Sequence, residues 1–501
     1  MGQTIVDHHR NILLTILLIG ISSLIWVMWG REIGVGTDAV HYLATARNIY
    51  EGRGWLDYND APLAVWPPLY PLTVALGMWM GMDVITSAKV INLIAYVLAV
   101  IWGNALIQEV VSQRFRLLAI VLYALGQPIM IMFTQAMSEP LFIAWTNGTF
   151  YYLHRWIQHP NWKTGTTLSI ILTLLMMQRY IGMTLWITGT LWIWTANRFR
   201  QRQGWVVKWG MVWMPSMILL GIWMWYSYLS SGQWGGRRGV PFYSMIEWLG
   251  AMMRTFIDWT VPWVEQFGTI WNVCSAIAFS SLVIAATAVC LRCRRIPPPL
   301  WRWMLIWSGI YLAFLAWNSS RMWISLPGQR LLSPLFIVFT IALFRAAQCF
   351  LHQFPHHARN IIGVLGIMVA MHIGQSMYAM YSAYRHGQHY DALHHHLLEQ
   401  WLQAHPSIQR VVTNHPERFF LWELRNGRRI GWFIPEKVIA DGVDSLFVLW
   451  DRPPEWVRPP SARLYLLIYD SLLRTHFRID TVSELGTEAV IRLQRRAPST
   501  N

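Results

Sequence analysis

Hydrophobic and polar positions in this chain are sorted into long blocks rather than into the short alternations of a half-buried strand. Residues 11–29, "NILLTILLIGISSLIWVMW", carry no charge, and an apolar run of about 18 residues or more is what a helix needs to cross a bilayer. Further blocks lie at 86–108, 117–134, 138–157, 209–230, 268–291, 301–317, 331–348 and 361–381. One more, 166–197, is interrupted at 178–182 by "QRYIG". Short basic segments separate them: "SQRFR" (112–116), "HRWIQHPNWK" (154–163), "RFRQRQ" (198–203), "RCRRIPPPLWR" (292–302) and "FPHHARN" (354–360). If all of these face the cytoplasm, an even number of crossings must separate each neighbouring pair, so block 166–197 is predicted to be two short helices turning at "QRYIG". The pattern predicts about eleven spans, with the amino terminus inside and the carboxy terminus outside. The first block is longer than the about 7–15 residues of a signal-peptide core and has no small-x-small cleavage site, so it is read as a retained helix.

Three stretches fall outside this pattern. Residues 30–68 and 231–264 are too long and polar for simple connections, and loops of such length in compact proteins are functional or disordered. Both contain aromatic-rich amphipathic stretches suited to helices lying in the membrane interface. The tail, 385–501, mixes turn signals such as "NG" (426–427) and "DG" (441–442) with short apolar runs and helix-like segments. The expected organisation is a polytopic α-helical domain over 1–384, with its first outer loop at 30–68, and a small α/β domain over 385–501 outside the membrane.

Composition agrees. Of 501 residues, 54% are apolar and 13% charged, against roughly 25% charged in an average soluble protein. The 32 tryptophans suit the lipid–water boundary, and the net charge of +15 resides largely in the short loops that set topology. It is therefore not read as nucleic-acid binding. Cys290 and Cys293 form a lone C-x-x-C with no second pair to complete a zinc site. No H-E-x-x-H, Walker or Rossmann pattern occurs.

The chemistry-bearing residues cluster at the predicted outer ends. Asp38 opens a helical stretch over 38–50. Either it or Thr37 could cap that helix; equally, Asp38 with His41, Tyr42 and Thr45 could form its polar side, a placement suited to a general base acting on a hydroxyl. Paired prolines in "WPPLYPL" (66–72) precede a helix too short to span comfortably. Glu139 in "SEPLF" starts a span, where the macrodipole favours an acid and Ser138 could cap; it could equally be an acid of the site. Arg179, Arg237, Arg238, Arg321 and Arg330 all fall on the predicted outer side, where snorkelling to headgroups competes with a shared anion site. The candidate catalytic residues are Asp38 and Glu139. The candidate substrate-binding residues are His41, Tyr42, Tyr180 and the five arginines.

Taken together these motifs resemble the GT-C superfamily, multi-pass glycosyltransferases that take sugars from polyprenyl-phosphate or pyrophosphate carriers. Protein O-mannosyltransferases and aminoarabinose transferases are members. The resemblance rests on "TDAVHYLATARNIYEGRGW" (37–55), a D-x-x-x-Y-x-x-x-A…G-x-G pattern, followed in order by "WPPLYPL", "SEPLF", "QRYIG", "GQRLLSP" (328–334) and "VVTNHPERFFLW" (411–422). It implies that Asp38 is the first-loop catalytic aspartate, acting as base in an inverting transfer to a hydroxyl. It places Glu139 at the acidic position of the second outer loop, and Arg179 and Arg330 beside the carrier phosphate. The implied partners are a polyprenyl-phosphate sugar donor, a glycan, lipid or protein acceptor, and membrane lipids, in a cell membrane. Some members carry a second acid directly after the aspartate; here Ala39 follows, so no obligatory metal and no cofactor beyond the lipid-linked sugar is expected. The alternative is a transporter or flippase for a lipid-linked or anionic substrate, although no internal repeat of the transporter kind is present.

Overall fold

Helix formation follows the apolar blocks. The computed structural model describes residues 2–58, 60–196, 204–235, 243–262, 298–321 and 328–389, and in the tail 396–408, 411–413, 419–421, 424, 431–432, 445–451, 475–485 and 488–496. The expected span at 268–291 and the pair Arg237 and Arg238 lie outside the described residues. Two compact units are present: Met1–Ile33, Tyr42–Asp57 and Pro62–His386 form the first, and Gly34–His41, Tyr58–Ala61 and Gly387–Asn501 the second. Two pieces of the first outer loop thus group with the tail, where the sequence placed the whole loop with the membrane domain.

The first unit is helical. It comprises α1 (Gly2–Gly30), α2 (Thr37–Tyr50), α3 (Leu69–Trp79), α4 (Val84–Val110), α5 (Gln113–Leu125), α6 (Gln127–Phe133), α7 (Glu139–Gln158), α8 (Trp162–Gln178), α9 (Met183–Thr195), α10 (Trp205–Ser231), α11 (Met245–Thr260), α12 (Pro299–Ser319), α13 (Gln329–Leu332), α14 (Phe336–Gln353) and α15 (Ala358–His386). Among the described residues, seven stretches are long and apolar enough to cross a membrane by length and composition: Arg10–Gly30, Val84–Val110, Gln113–Phe133, Trp205–Ser231, Pro299–Ser319, Gln329–Gln353 and Pro355–His386. The chain is a multi-pass membrane protein. Helix α7 is long enough but too polar to qualify, and α8 and α9, at 17 and 13 residues, are too short, so the described residues do not establish the expected eleven.

Apolar side chains that face outward on α10 (Met211, Ile218, Ile222, Leu229) and α15 (Val364, Ile367) are exposed, the pattern of lipid-facing surfaces whose backbone bonds are all internal. Inside, α7 packs against α4 and α8, and α8 against α10. Buried polar groups are used to fasten these helices: Asn147 donates to the Ala99 carbonyl at 3.1 Å and to Tyr123 Oη at 2.6 Å. Asn92 donates to the carbonyls of Phe133 (3.0 Å) and Gln135 (2.7 Å), fixing the chain just before Glu139. Helix α1 approaches α4 closely because Gly20 leaves room for the Tyr96 phenol, which any Cβ there would meet; small residues at such crossings are the usual device of membrane helices.

Local signals set the ends. Asp83 caps α4, accepting from the amides of Ile85 (2.9 Å) and Thr86 (3.0 Å). Ser244 and Glu247 form a full capping box on α11. Gly232, at φ 72°, closes α10 in the left-handed region, which glycine enters without a Cβ penalty.

In the second unit a five-stranded sheet has the order β2-β1-β3-β5-β4, with β1 at Val411–Thr413, β2 at Gly431–Trp432, β3 at Ser445–Asp451, β4 at Phe477–Leu485 and β5 at Glu488–Arg495. Strands β1, β2 and β3 are parallel; β5 runs antiparallel to β3 and β4, with an irregularity between Thr481 and Ser483. Alternation along β3 supplies both faces. Leu449 joins Leu398, Trp401, Val411 and Val490 on one side, and Leu446 and Val448 join Val412, Phe477 and Leu493 on the other. Helix α16 (His396–Ala404) contributes Leu398 and Trp401 to the first cluster. Val35 bridges His389 in parallel, tying the first loop's entry to the start of the tail.

Candidate functional site: a carboxylate between two arginines

The interruption "QRYIG" ends α8 as the block pattern predicts. Arg179 is extended (φ −154°, ψ 137°), and a 3₁₀ turn over Tyr180–Gly182 leads into α9. The break leaves Arg179 free of helical geometry at the mouth of the turn. Its Nη1 pairs with Glu139 Oε1 and donates to Ser138 Oγ at 3.0 Å. Arg330, in the short α13, places its Nε 2.6 Å from the same Glu139 oxygen. Glu139 is 1% exposed, while the side chains of Arg179 and Arg330 are 20% and 28% exposed. An acid at the first position of α7, an arginine at the end of α8 and one at the start of the 329–353 stretch therefore meet at one end of the bundle. Charge-assisted bonds of this kind are roughly twice as strong as neutral ones, and the trio as a whole carries excess positive charge.

Ser138 does not cap α7, as the sequence suggested it could; its side chain makes no capping bond. It is instead a junction. Its Oγ donates to Glu139 Oε2 at 3.3 Å, lies 3.4 Å from Tyr42 Oη, and accepts from Arg179, while its carbonyl accepts from Gln178 Nε2 at 2.8 Å. Tyr311 Oη donates to the Leu331 carbonyl at 2.7 Å, holding the backbone next to Arg330. Gln178 and Ser138 are sequence neighbours of Arg179 and Glu139, and a polar residue beside a charge inside an apolar block is the signal that marks them. Nothing local marks Tyr311.

The first-loop residues fall differently from expectation. The first helical bond of α2 runs from the Val40 amide to the Gly36 carbonyl, so neither Thr37 nor Asp38 is the cap; both lie within the first turn. Helix α2 buries Tyr42 and Thr45 together with Ala39, Val40, Leu43, Ala44 and Ala46, so the polar side expected for Tyr42 and Thr45 faces packing rather than water. Asp38 and His41 are half-buried, and the His41 ring lies 4.7 Å from that of Tyr58. Tyr42 packs edge-on against Trp66 and Tyr70 of "WPPLYPL". The chain just before that motif is pinned from the Tyr180–Gly182 turn and from α10, since the Ala64 carbonyl accepts from Ser227 Oγ (2.9 Å) and Tyr180 Oη (3.5 Å). Trp223 Nε1 donates to Tyr180 Oη at 3.1 Å, so Tyr180 serves as a strut for the loop.

The expected convergence of arginines holds for two of the three described. Arg321 is exposed, its guanidinium stacked 3.9 Å over the Trp317 ring, a cation–π contact at the end of α12. An arginine one turn past an exposed tryptophan reads equally well as an interfacial anchor, and here that arrangement is the one formed.

The fold is similar to that of several solved structures. ArnT from Cupriavidus metallidurans in the apo state superposes with a TM-score of 0.56 at 11% identity, covering 97% of this chain and 98% of that one. The same protein bound to undecaprenyl phosphate gives 0.52 at 12% identity over 96% and 97%. The Archaeoglobus fulgidus oligosaccharyltransferase in complex with Zn and sulfate gives 0.53 at 12% identity over 95% and 72%. At these identities the likeness is one of fold. No family model matches the sequence, and no curated protein matches it either.

Proposed function

We propose that this protein is an integral-membrane glycosyltransferase that moves a sugar from a polyprenyl-phosphate carrier to a hydroxyl of a glycan, lipid or protein acceptor on the outer face of the cell membrane. The amino terminus is cytoplasmic and the tail extracytoplasmic. The carrying observation is the buried Glu139 that holds Arg179 and Arg330 side by side at one end of the bundle. Their planar forks match phosphate oxygens in pairs, and ArnT, which has this fold, has been crystallised with undecaprenyl phosphate. Glu139 is a positioning residue in this scheme, since its two arginines occupy its carboxylate and almost none of its surface is exposed.

Asp38 is the general base. It lies in the first turn of α2 and is half-buried. It takes the acceptor hydroxyl's proton as that oxygen attacks the anomeric carbon; the bond from that carbon to the phosphate oxygen breaks, and the polyprenyl phosphate departs with the electron pair. Attack opposite the leaving group inverts the anomeric centre. Preorganised positive charge at the departing phosphate lowers the barrier because the site need not reorganise as charge develops. No metal is required: Ala39 stands where a second first-loop acid would be needed, and the Glu139 carboxylate is committed to arginines.

The test is transfer of labelled sugar from a panel of polyprenyl-phosphate donors in liposomes. Wild type transfers, and Asp38→Asn falls by about 10²–10⁴-fold, the usual contribution of a general base. Transfer persists in excess chelator. Unchanged transfer by Asp38→Asn removes the base from Asp38; loss of transfer on chelation, restored by a divalent ion, removes the metal-free scheme. Movement of a lipid or anion across the bilayer with no transfer from any donor replaces the enzyme with a transporter.

A further inference from the structure

Asp258 is a carboxylate that the transfer scheme does not use. It lies in the last turn of α11, the end at which the helix macrodipole disfavours an acid, and it is 7% exposed. Trp248, Ala251, Thr255 and Asp258 recur at helical spacing, and all four are buried. The opposite side, Ile246, Leu249 and Met253, is exposed and apolar. A carboxylate on the inner stripe of such a helix needs partners there. Its Oδ2 accepts from Gln329 Nε2 at 2.9 Å and its Oδ1 from Gln375 Nε2 at 3.2 Å. Close by, His372 Nε2 is 2.7 Å from the Trp259 carbonyl, so the end of α11 is tied twice to α15.

Gln329 is the residue before Arg330. Helix α13 has four residues, too few to fix its own orientation, because short helices are marginal without tertiary support. It is held at Gln329 by Asp258 and at Leu331 by Tyr311, while Ser333 Oγ donates to the Arg330 carbonyl at 3.0 Å. Between these clamps Arg330 reaches Glu139.

We infer that Asp258 is a positioning residue for Arg330: through Gln329 it sets the α13 turn so that the guanidinium stands ready for the phosphate of a polyprenyl-phosphate carrier. This rests on the assignment of the arginine pair to that phosphate. The experiment is binding of undecaprenyl phosphate to the full-length protein in nanodiscs, comparing wild type with Arg330→Ala, Asp258→Ala, Gln329→Ala and the Asp258→Ala/Arg330→Ala double variant. Asp258→Ala and Gln329→Ala each weaken binding by about tenfold, as expected for loss of a hydrogen bond to a charged group. The double variant binds no more weakly than Arg330→Ala alone. A carboxylate that merely stabilised the fold would give losses that multiply in the double variant, and that result overturns the inference. So does wild-type affinity in Asp258→Ala, or in Gln329→Ala where Asp258→Ala does not fold. Failure of wild type to bind the lipid at all instead removes the phosphate assignment, and this inference with it.

Discussion

At the scale of single residues, Glu139 concentrates the most consequence. Two guanidinium groups share one of its oxygens, and both sit beside a carboxylate that water barely reaches. Removing one member of such a buried set leaves charges uncompensated, which costs about 3–5 kcal/mol, with the partial exposure of the arginines placing the cost near the lower end. Glu139→Gln is therefore expected to lower the unfolding midpoint in detergent or nanodiscs strongly, in a way that Glu139→Asp does not fully repair because the shorter side chain cannot reach both arginines. An unchanged midpoint would show that the arginines find equal partners without Glu139. Sequence alone singled out Glu139, Arg179 and Arg330, because a charge at the edge of an apolar block is expensive and calls for a reason. It could not say that the three meet. The local pattern of charges and apolar blocks did not separate Arg330 from Arg321, which stacks on Trp317, since both follow short polar segments at block ends; only the resemblance through "GQRLLSP" did.

Among the elements, α4 shows how a long helix is anchored. Asp83 sits outside the membrane stretch and caps it. Burial works against its charged form, but hydrogen bonds from Thr86 and the Ile85 amide outweigh that and hold its carboxyl below the ordinary carboxylate value. A depressed folded-state pKa stabilises above the unfolded-state value of about 3.9 and is lost as the pH falls through the folded value. Asp83→Ala is expected to cost about 1 kcal/mol at pH 7, and the gap between wild-type and variant melting temperatures should close as the pH is lowered below about 4. A gap that stays constant with pH would mean the carboxylate is not what stabilises the cap. The break at "QRYIG" is what the block pattern predicts; the Asp83 cap and the box on α11 are equally local features, but no expectation from the sequence named them. The burial of α2 was not legible, since its composition of small, polar and aromatic residues suits an interface and a packed interior alike.

For the molecule as a whole, the alternating blocks predict sidedness, and the ion cluster agrees with that alternation by bringing the start of α7, the end of α8 and α13 to one end. Single cysteines in a background lacking the four native ones can be labelled with a membrane-impermeant reagent. Positions 80, after α3, and 400, in the tail, are exposed, as is 356, between α14 and α15. The first two are expected to label from outside in intact cells and the third only after permeabilisation. Labelling at 356 in intact cells would invert the orientation.

What the sequence determined by itself was the set of elements. Runs of apolar residues fix where helices form, because a backbone in lipid has to satisfy its hydrogen bonds within the helix, and glycine, proline and capping side chains fix where those helices end. It also named the charges that had to be accounted for. Only the tertiary structure decided which of them share a site. Salt bridges and hydrogen bonds between residues 40 to 191 positions apart, such as Gln178 with Ser138 or Arg330 with Glu139, depend on how helices pack and not on any period along the chain. For the same reason Asp258, Gln329 and Tyr311 came into view only when α11, α12 and α13 were seen side by side.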